Sequence, residues 1–209
     1  MLDNTWATPL YFRPLDFGVD ISIHAATKYP AGHSDVLLGT VSANERCWEQ
    51  LYETYLTLGT PAGPDDVYQV LRGLRTMGVR LEKHQENALE IARWLEGRQG
   101  VKAVLHPALE SHPGHAVWKR DFSGSSGIFS FVLDGGDAQA EAFLDALEIF
   151  GLGYSWGGYE SLAVQVHLGD RTVSARDYGG AVMRLQIGLE DTADLKDDIT
   201  SGLAAAQRA

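Results

Sequence analysis

The residue best placed for covalent chemistry is Lys28, which follows an alternation of apolar and polar residues at positions 19–24. That alternation predicts a strand, and the end of a strand is a common place for a bound cofactor. A lysine that forms a Schiff base needs a lowered pKa, which burial or a neighbouring cation provides. Thr27 could offer a hydroxyl to a phosphate, and Gly32 permits close backbone approach. These residue types alone equally allow a solvated lysine in a turn.

Arg184 is a second candidate, because it lies in a predicted strand at residues 182–188. Every second residue of that strand is apolar, so Arg184 and Gln186 share the opposite face. The pattern by itself indicates no more than a solvated polar face.

A serine hydrolase motif occurs at residues 153–157, where Gly-Tyr-Ser-Trp-Gly satisfies the G-x-S-x-G pattern with Ser155 as nucleophile. His167 and Asp170 lie downstream, in the wrong order for the triad of an α/β-hydrolase. Gly158 beside Gly157 also disfavours the helix that should follow the nucleophile. A serine hydrolase is therefore a remote alternative.

Metal binding and disulfide formation are not predicted. The histidines His106, His112 and His115 lie in a loop without cysteine or paired carboxylates, whereas structural zinc needs four close ligands. Cys47 is the single cysteine, so no internal disulfide is possible. Its place on an amphipathic helix indicates a small packing residue.

Composition indicates a soluble cytoplasmic protein with a real core. The chain has 209 residues, of which 44% are hydrophobic, enough for one large or two small domains. A net charge of −11 opposes binding to nucleic acid or to an anionic membrane, because phosphates would be repelled. No apolar run is long enough to span a membrane, and the N-terminus lacks a secretory signal.

The pattern of elements predicts a mixed α/β chain in two units. Asn44 caps a predicted helix that ends before Gly59, and a second helical stretch begins at Asp65 or Asp66 and runs to about residue 95. Bends are expected at Gly73 and Gly78. A strand is also predicted at residues 35–42. Beyond Gly97 the predicted strands are 101–105, 127–133, 162–166 and 182–188, and the predicted helices are 138–150 and 192–206.

The segment around Lys28 carries a resemblance to a known family. The run DISIHAATKY at residues 20–29, followed by Gly32-His33-Ser34, resembles the attachment-site signature of the Cys/Met-metabolism enzymes that depend on pyridoxal 5'-phosphate (PLP). That family includes cystathionine β-lyase, γ-lyase and γ-synthase. Further matching segments are residues 3–6, 46–51, 72–76, 118–122, 154–161 and 184–191. The Ser-Trp-Gly-Gly form at 155–158 favours the bacterial β-lyases over the γ-enzymes.

The resemblance implies how the cofactor is held. Lys28 would bear PLP, and Asp3 would pair with the pyridine nitrogen and keep the ring an electron sink. Thr27 would help to hold the phosphate. Its contribution would be larger than usual, since Ala25 stands where many members have a serine.

The resemblance also implies the substrate contacts and the reaction. Arg184 would bind the substrate α-carboxylate through two parallel hydrogen bonds, and Ser155 would contribute to the same contact. Tyr154 and Trp156 would shape the pocket around the rest of the substrate. The implied reaction is β-elimination from L-cystathionine to homocysteine, pyruvate and ammonia, in methionine biosynthesis. Lys28 would remove the Cα proton.

Family members are much longer than this chain, so the resemblance implies an absent N-terminal half. The implied fold is the aspartate-aminotransferase-like PLP fold, known as fold type I. Residues 1–95 would be the C-terminal part of a truncated large, PLP-binding domain, and residues 96–209 a small α+β C-terminal domain. The missing half would supply the phosphate loop and the ring that stacks on the cofactor. We expect a homo-oligomer, a tetramer in this family, and an inactive remnant is the rival interpretation.

Overall fold

Two β-sheets joined through a long helix organise the part of the chain that the computed structural model describes, residues 1–169, 172 and 176–209. The first sheet comprises β1 (Leu2–Asp3), β2 (Ile21–Ala25) and β3 (Gly39–Ala43). Strand β1 is parallel to β2, and β3 is antiparallel to it. Helix α1 (Thr8–Tyr11) and a 3-10 turn (Pro14–Phe17) connect β1 to β2.

The predicted strand at 35–42 begins four residues later than expected. Val36 is buried in a small cluster with Ala26, Ala31 and Val70, and residues 35–38 therefore pack as a loop. The strand starts at Gly39, where pairing with Ala25 begins.

Helix α2 (Glu45–Leu58) confirms the predicted capping residues. The Asn44 side chain accepts a hydrogen bond from the backbone N–H of Cys47, and Gly59 ends the helix in the left-handed conformation. No residue of α2 is buried. Its aromatic face is open to solvent, with Trp48 53% and Tyr52 47% exposed.

The single bent helix predicted between residues 65 and 95 is wrong, because the chain forms two helices. They are α3 (Pro64–Leu74) and α4 (Met77–Leu95). The break has a side-chain cap: the Arg80 guanidinium donates to the Gly73 carbonyl at 2.8 Å, where α3 ends. Gly73 itself packs directly on the loop at residues 26–38, called the Lys28 loop below, since a Cβ on Gly73 would lie 2.3 Å from the Pro30 carbonyl oxygen.

The second sheet has five strands in the order β4-β5-β8-β7-β6. These are β4 (Val101–Leu105), β5 (Ile128–Leu133), β6 (Gly151–Leu152), β7 (Leu162–Val166) and β8 (Ala181–Gln186). Neighbours are antiparallel except for β6 and β7. The remaining helices are α5 (His115–Asp121), α6 (Asp137–Asp145) and α7 (Thr192–Ala206).

Helix α6 ends at Asp145, before the predicted end at residue 150. The carboxylate of Asp198, on α7, accepts hydrogen bonds from the backbone N–H groups of residues 148, 149 and 150 at 2.8–3.0 Å. Those groups are therefore satisfied outside a helix.

The main core lies between the five-stranded sheet and helices α4, α6 and α7. The second half of α4 contributes Ala88, Ile91, Ala92 and Leu95 to it, all fully buried. The first half of α4 packs elsewhere, against Tyr29 of the Lys28 loop. A domain boundary near residue 95 stays a prediction. Within the described residues, no helix combines the length and the hydropathy needed to cross a membrane.

Candidate functional site

Lys28 lies in a tight turn that directly follows β2. The Lys28 backbone N–H donates to the Ala25 carbonyl at 3.0 Å, and the Lys28 carbonyl accepts from Gly32 at 2.8 Å. The side chain points across to the second half of the chain, where its Nζ donates to Ser155 Oγ at 2.8 Å. The same Nζ lies 5.3 Å from the ring centroid of Trp156. Two sequence-predicted site segments therefore meet at one amine.

The surroundings of Lys28 favour the neutral amine. Burial lowers the pKa of Lys28, and the nearby positive charge of Arg184 lowers it further. A lowered pKa raises the fraction of unprotonated amine at neutral pH, and the unprotonated amine is the form that attacks a carbonyl carbon or accepts a proton.

Two glycines let the 154–158 segment lie on the Lys28 loop. Gly157 has a φ of +82°, and a Cβ at this position would lie 3.0 Å from both Lys28 Cβ and the Tyr29 nitrogen. A Cβ on Gly158 would lie 2.2 Å from Ser34 Oγ. The Gly-Gly pair, which argued against a hydrolase, thus permits close contact between the two segments.

Arg184 projects from β8, between Ser130 on β5 and Val164 on β7. Its Nη2 donates to the Tyr154 carbonyl at 2.7 Å. Burial lowers the pKa of Arg184, though the guanidinium remains charged. The bond to Tyr154 uses one N–H, and a guanidinium carries five, so donors remain for a ligand.

A cavity of about 560 Å³ lies beside Arg184. Its other lining residues include Trp6, Trp156 and His112. The Trp6 indole N–H is fixed by the Ile128 carbonyl at 3.2 Å. Neither Trp6 nor His112 was predicted as a site residue, because their positions in the sequence give no sign that they meet Arg184.

Asp3 and Thr27 lie at the same edge of the first sheet as Lys28. One carboxylate oxygen of Asp3 accepts from the Thr5 backbone N–H at 2.8 Å and from the Thr5 hydroxyl at 2.5 Å. The Thr5 hydroxyl is the main reason that the pKa of Asp3 lies below its usual value, and nearby His24 lowers it further. No described residue donates to the other oxygen, Oδ2, which leaves an acceptor for a protonated ring nitrogen.

The Thr27 hydroxyl is already engaged with the backbone. It accepts from the Leu38 N–H at 3.0 Å and donates to the Leu38 carbonyl at 3.3 Å. The donated bond is long, so exchanging it for a phosphate oxygen would cost little. An amine of lowered pKa, an acceptor carboxylate and this hydroxyl suit the donor and acceptor chemistry of PLP.

Asp3, Tyr154 and Ser155 are the exposed residues of the site, and Tyr154 is 77% accessible to solvent. Ser155 contacts Lys28, and no described histidine hydrogen-bonds to it, so the described residues do not form the Ser-His-Asp triad considered from the sequence. Asp170, the acid considered for that triad, lies outside the described residues.

The three histidines of the 106–115 loop each contact a backbone group of the same loop. Nδ1 of His106 and Nδ1 of His112 accept from backbone N–H groups two residues ahead, while Nδ1 of His115 contacts the Pro107 carbonyl. In residues 1–169, 172 and 176–209, no group of three or more potential ligand side chains could hold a metal ion.

Comparison with known proteins identifies relatives along nearly the whole chain. The family model described as Cys/Met metabolism PLP-dependent enzyme matches residues 1–204. A Rhizobium johnstonii protein named "Putative cystathionine beta-lyase" is 68% identical, over 99% of this chain and 53% of its own length. The cystathionine beta-lyase of Salmonella typhimurium is 49% identical over 98% of this chain and 53% of its own length.

A solved structure shows the same fold. The cystathionine gamma synthase of Xanthomonas oryzae, crystallised with cystathionine, matches with a TM-score of 0.88 at 41% identity. The match covers 99% of this chain and 55% of that one. The predicted fold type I architecture is confirmed. The chain spans about half the length of the curated relatives it matches, and it belongs to the family of Cys/Met metabolism PLP-dependent enzymes.

Proposed function

We propose that the protein to which this chain belongs is a carbon–sulfur lyase that catalyses β-elimination from L-cystathionine, giving homocysteine, pyruvate and ammonia. The observation that carries the proposal is the meeting of Lys28 with Ser155 and Trp156, 2.8 Å and 5.3 Å from its Nζ, beside Arg184. The relatives named as β-lyases, at up to 68% identity, support the choice of reaction.

The cofactor residues have distinct tasks in this proposal. Bound PLP supplies an electron sink for the charge that develops at the substrate Cα. The Oδ2 atom of Asp3 would accept a hydrogen bond from the protonated ring nitrogen and so hold that proton in place. The Thr27 hydroxyl would donate to a phosphate oxygen. Lys28 moves the protons, taking one from Cα as its neutral amine and returning one to the departing sulfur.

Arg184 and the 154–156 segment have the task of holding the substrate. The guanidinium binds the α-carboxylate through its remaining N–H groups, and Ser155 assists from the Lys28 side. Tyr154 and Trp156 form the wall around the thioether part. The partial burial of Arg184 strengthens this contact, because charge-assisted bonds gain strength as water is excluded.

The second candidate function is elimination or replacement at Cγ on the same scaffold. Two observations favour it, the match to a cystathionine gamma synthase structure and a pig cystathionine gamma-lyase that is 43% identical over 99% of this chain. Product analysis separates the two reactions. From cystathionine, β-elimination gives pyruvate and homocysteine, whereas γ-elimination gives 2-oxobutyrate and cysteine.

The organisation of the complete protein is part of the proposal. Residues 1–95 belong to the large, PLP-binding domain and residues 96–209 form the small C-terminal domain. The working enzyme is a homo-oligomer. The open aromatic face of α2 supports assembly, since apolar surface of this kind is normally covered by other polypeptide.

The test is to trap the cofactor chemically and map its position. The chain is combined with the half of a relative that it does not match, incubated with PLP, reduced with borohydride and digested. A pyridoxyl group on Lys28 is expected, and Lys28→Arg is the control that should remain unlabelled. A label on Lys83, Lys102 or another lysine would end the assignment. Absence of any label together with absence of turnover would identify an inactive remnant.

A further inference from the structure

A hydrogen bond between Ser34 and Glu160 links the Lys28 loop to the 154–158 segment. Ser34 Oγ donates to Glu160 Oε1 at 2.6 Å, across 126 positions of sequence. Ser34 has a φ of +58°, a left-handed conformation that a residue other than glycine adopts at some cost. The loop is thus held in a disfavoured conformation at the residue that makes this bond.

Gly158 leaves the space in which the bond forms. A Cβ on Gly158 would lie 2.2 Å from Ser34 Oγ and 2.5 Å from Glu160 Oε2. The absence of a side chain at 158 is therefore a condition for the contact between residues 34 and 160.

The 154–161 segment is held at one end by β8 of the second sheet and at the other by the residues that follow β8. Arg184 holds the Tyr154 carbonyl at 2.7 Å, and Ser161 is held by the Glu190 carboxylate at 2.7 and 2.8 Å. Those contacts do not reach the first half of the chain. Among the described residues, the Ser34–Glu160 bond is the one hydrogen bond, besides that of Lys28 to Ser155, between residues 154–161 and 26–38.

We infer that Glu160 and Ser34 are positioning residues that keep Ser155 and Trp156 over the amine of Lys28. The inference rests on the proposed role of Lys28. Without the bond, the 154–158 segment remains anchored to the second sheet but can separate from the loop. Lys28, which is partly buried, then becomes more exposed to water, and the loss of burial raises its pKa toward the ordinary value of lysine.

The experiment measures the protonation of Lys28 in the chain alone, without cofactor. Lys28 is acylated by trace acetic anhydride across a pH series, and its peptide is quantified against an internal standard. The variants are Ser34→Ala and Glu160→Ala, which remove the bond, and Glu160→Gln, which keeps an acceptor for Ser34. The matched control is Thr192→Ala, which removes another hydroxyl–carboxylate bond, the one that Thr192 makes to Glu90 at 3.0 Å.

In Ser34→Ala and Glu160→Ala, the pH profile of Lys28 acylation should move to higher pH. In Glu160→Gln and Thr192→Ala, the profile should coincide with that of the wild type. A half-unit rise in pKa lowers the unprotonated fraction at neutral pH by about threefold. Ser34 is exposed, so Ser34→Ala tests the inference even if Glu160→Ala fails to fold. An unmoved profile in Ser34→Ala would overturn it, as would an equal shift in Thr192→Ala. No turnover is measured, so failure here is separate from failure of the borohydride mapping.

Discussion

Replacing Gly157 with alanine tests how tightly the 154–158 segment packs on the Lys28 loop. The chain contains a close internal control, because Gly18 has a φ of +81° and Gly157 a φ of +82°. A Cβ on Gly18 would meet nothing within 4 Å, whereas one on Gly157 would meet Lys28 Cβ and the Tyr29 nitrogen at 3.0 Å. The two substitutions therefore share the backbone cost and differ in the contact.

The expected costs follow from these two contributions. An alanine held at positive φ costs about 1–2 kcal/mol relative to glycine, which is the whole expected effect of Gly18→Ala. Overpacking against the loop adds about 1–3 kcal/mol at Gly157, because the atoms that the new Cβ meets include backbone and cannot rotate away. Gly157→Ala should thus lower the free energy of unfolding by about 2–5 kcal/mol.

Urea unfolding of both variants, followed by circular dichroism, measures the difference. Lys28 labelling should change only in Gly157→Ala, because the added methyl group pushes Ser155 and Trp156 away from the amine. Equal losses of stability in the two variants, with unchanged Lys28 labelling in both, would show that the contact between the segments is loose and would refute this reasoning.

Three further predictions concern substrate binding, assembly and acid stability. Arg184→Lys in the reconstituted protein should weaken amino-acid binding by about 1.5–3 kcal/mol while the PLP spectrum stays largely intact, since lysine loses the two-pronged geometry; unchanged affinity in a substrate titration would assign Arg184 to the surface. The isolated chain should bind PLP poorly and show little lyase activity. It should also self-associate in analytical ultracentrifugation, because α2 leaves aromatic side chains open to solvent. A monomer that turns over cystathionine at roughly 1–10³ per second would contradict this prediction. Burial lowers the pKa of His106 from 6.5 to about 4, so the unfolded chain binds the extra proton between these values. Stability is therefore complete above pH 6.5 and falls by about 3 kcal/mol toward pH 4, a loss that His106→Asn should flatten in a pH series of urea midpoints.

The local elements were largely predictable because their signals are local. Asn44 and Gly59 bound α2 in the structure as they do in the sequence pattern. The split between α3 and α4 was missed because its causes are packing and side-chain contacts, which hydrophobic periodicity does not report. Gly73 faces the Lys28 loop, and Arg80 reaches back to cap α3. Neither contact changes the spacing of apolar residues from which the helix was predicted.

The site shows the same division between local and distant information. Lys28 could be selected from its neighbours in sequence, and the family resemblance supplied the candidates Ser155 and Arg184. That the Lys28 amine meets Ser155 depends on two glycines whose local pattern indicated only a helix breaker. The positions of Trp6 and His112 beside Arg184 follow from folding alone, because segments remote in the sequence line one cavity.

Helix α4 belongs to two packing units, and this affects how the chain could be divided into separately produced pieces. Its first half packs on Tyr29, its middle is tied to the end of β8 by His84 and Asn87, and its last turns enter the main core. A cut after Leu95 would remove four fully buried residues from the five-stranded half. A cut just before Met77 would keep that core whole but uncover Tyr29. We therefore expect every division near this helix to leave one piece poorly folded, and complementation to succeed only between fragments that overlap along α4.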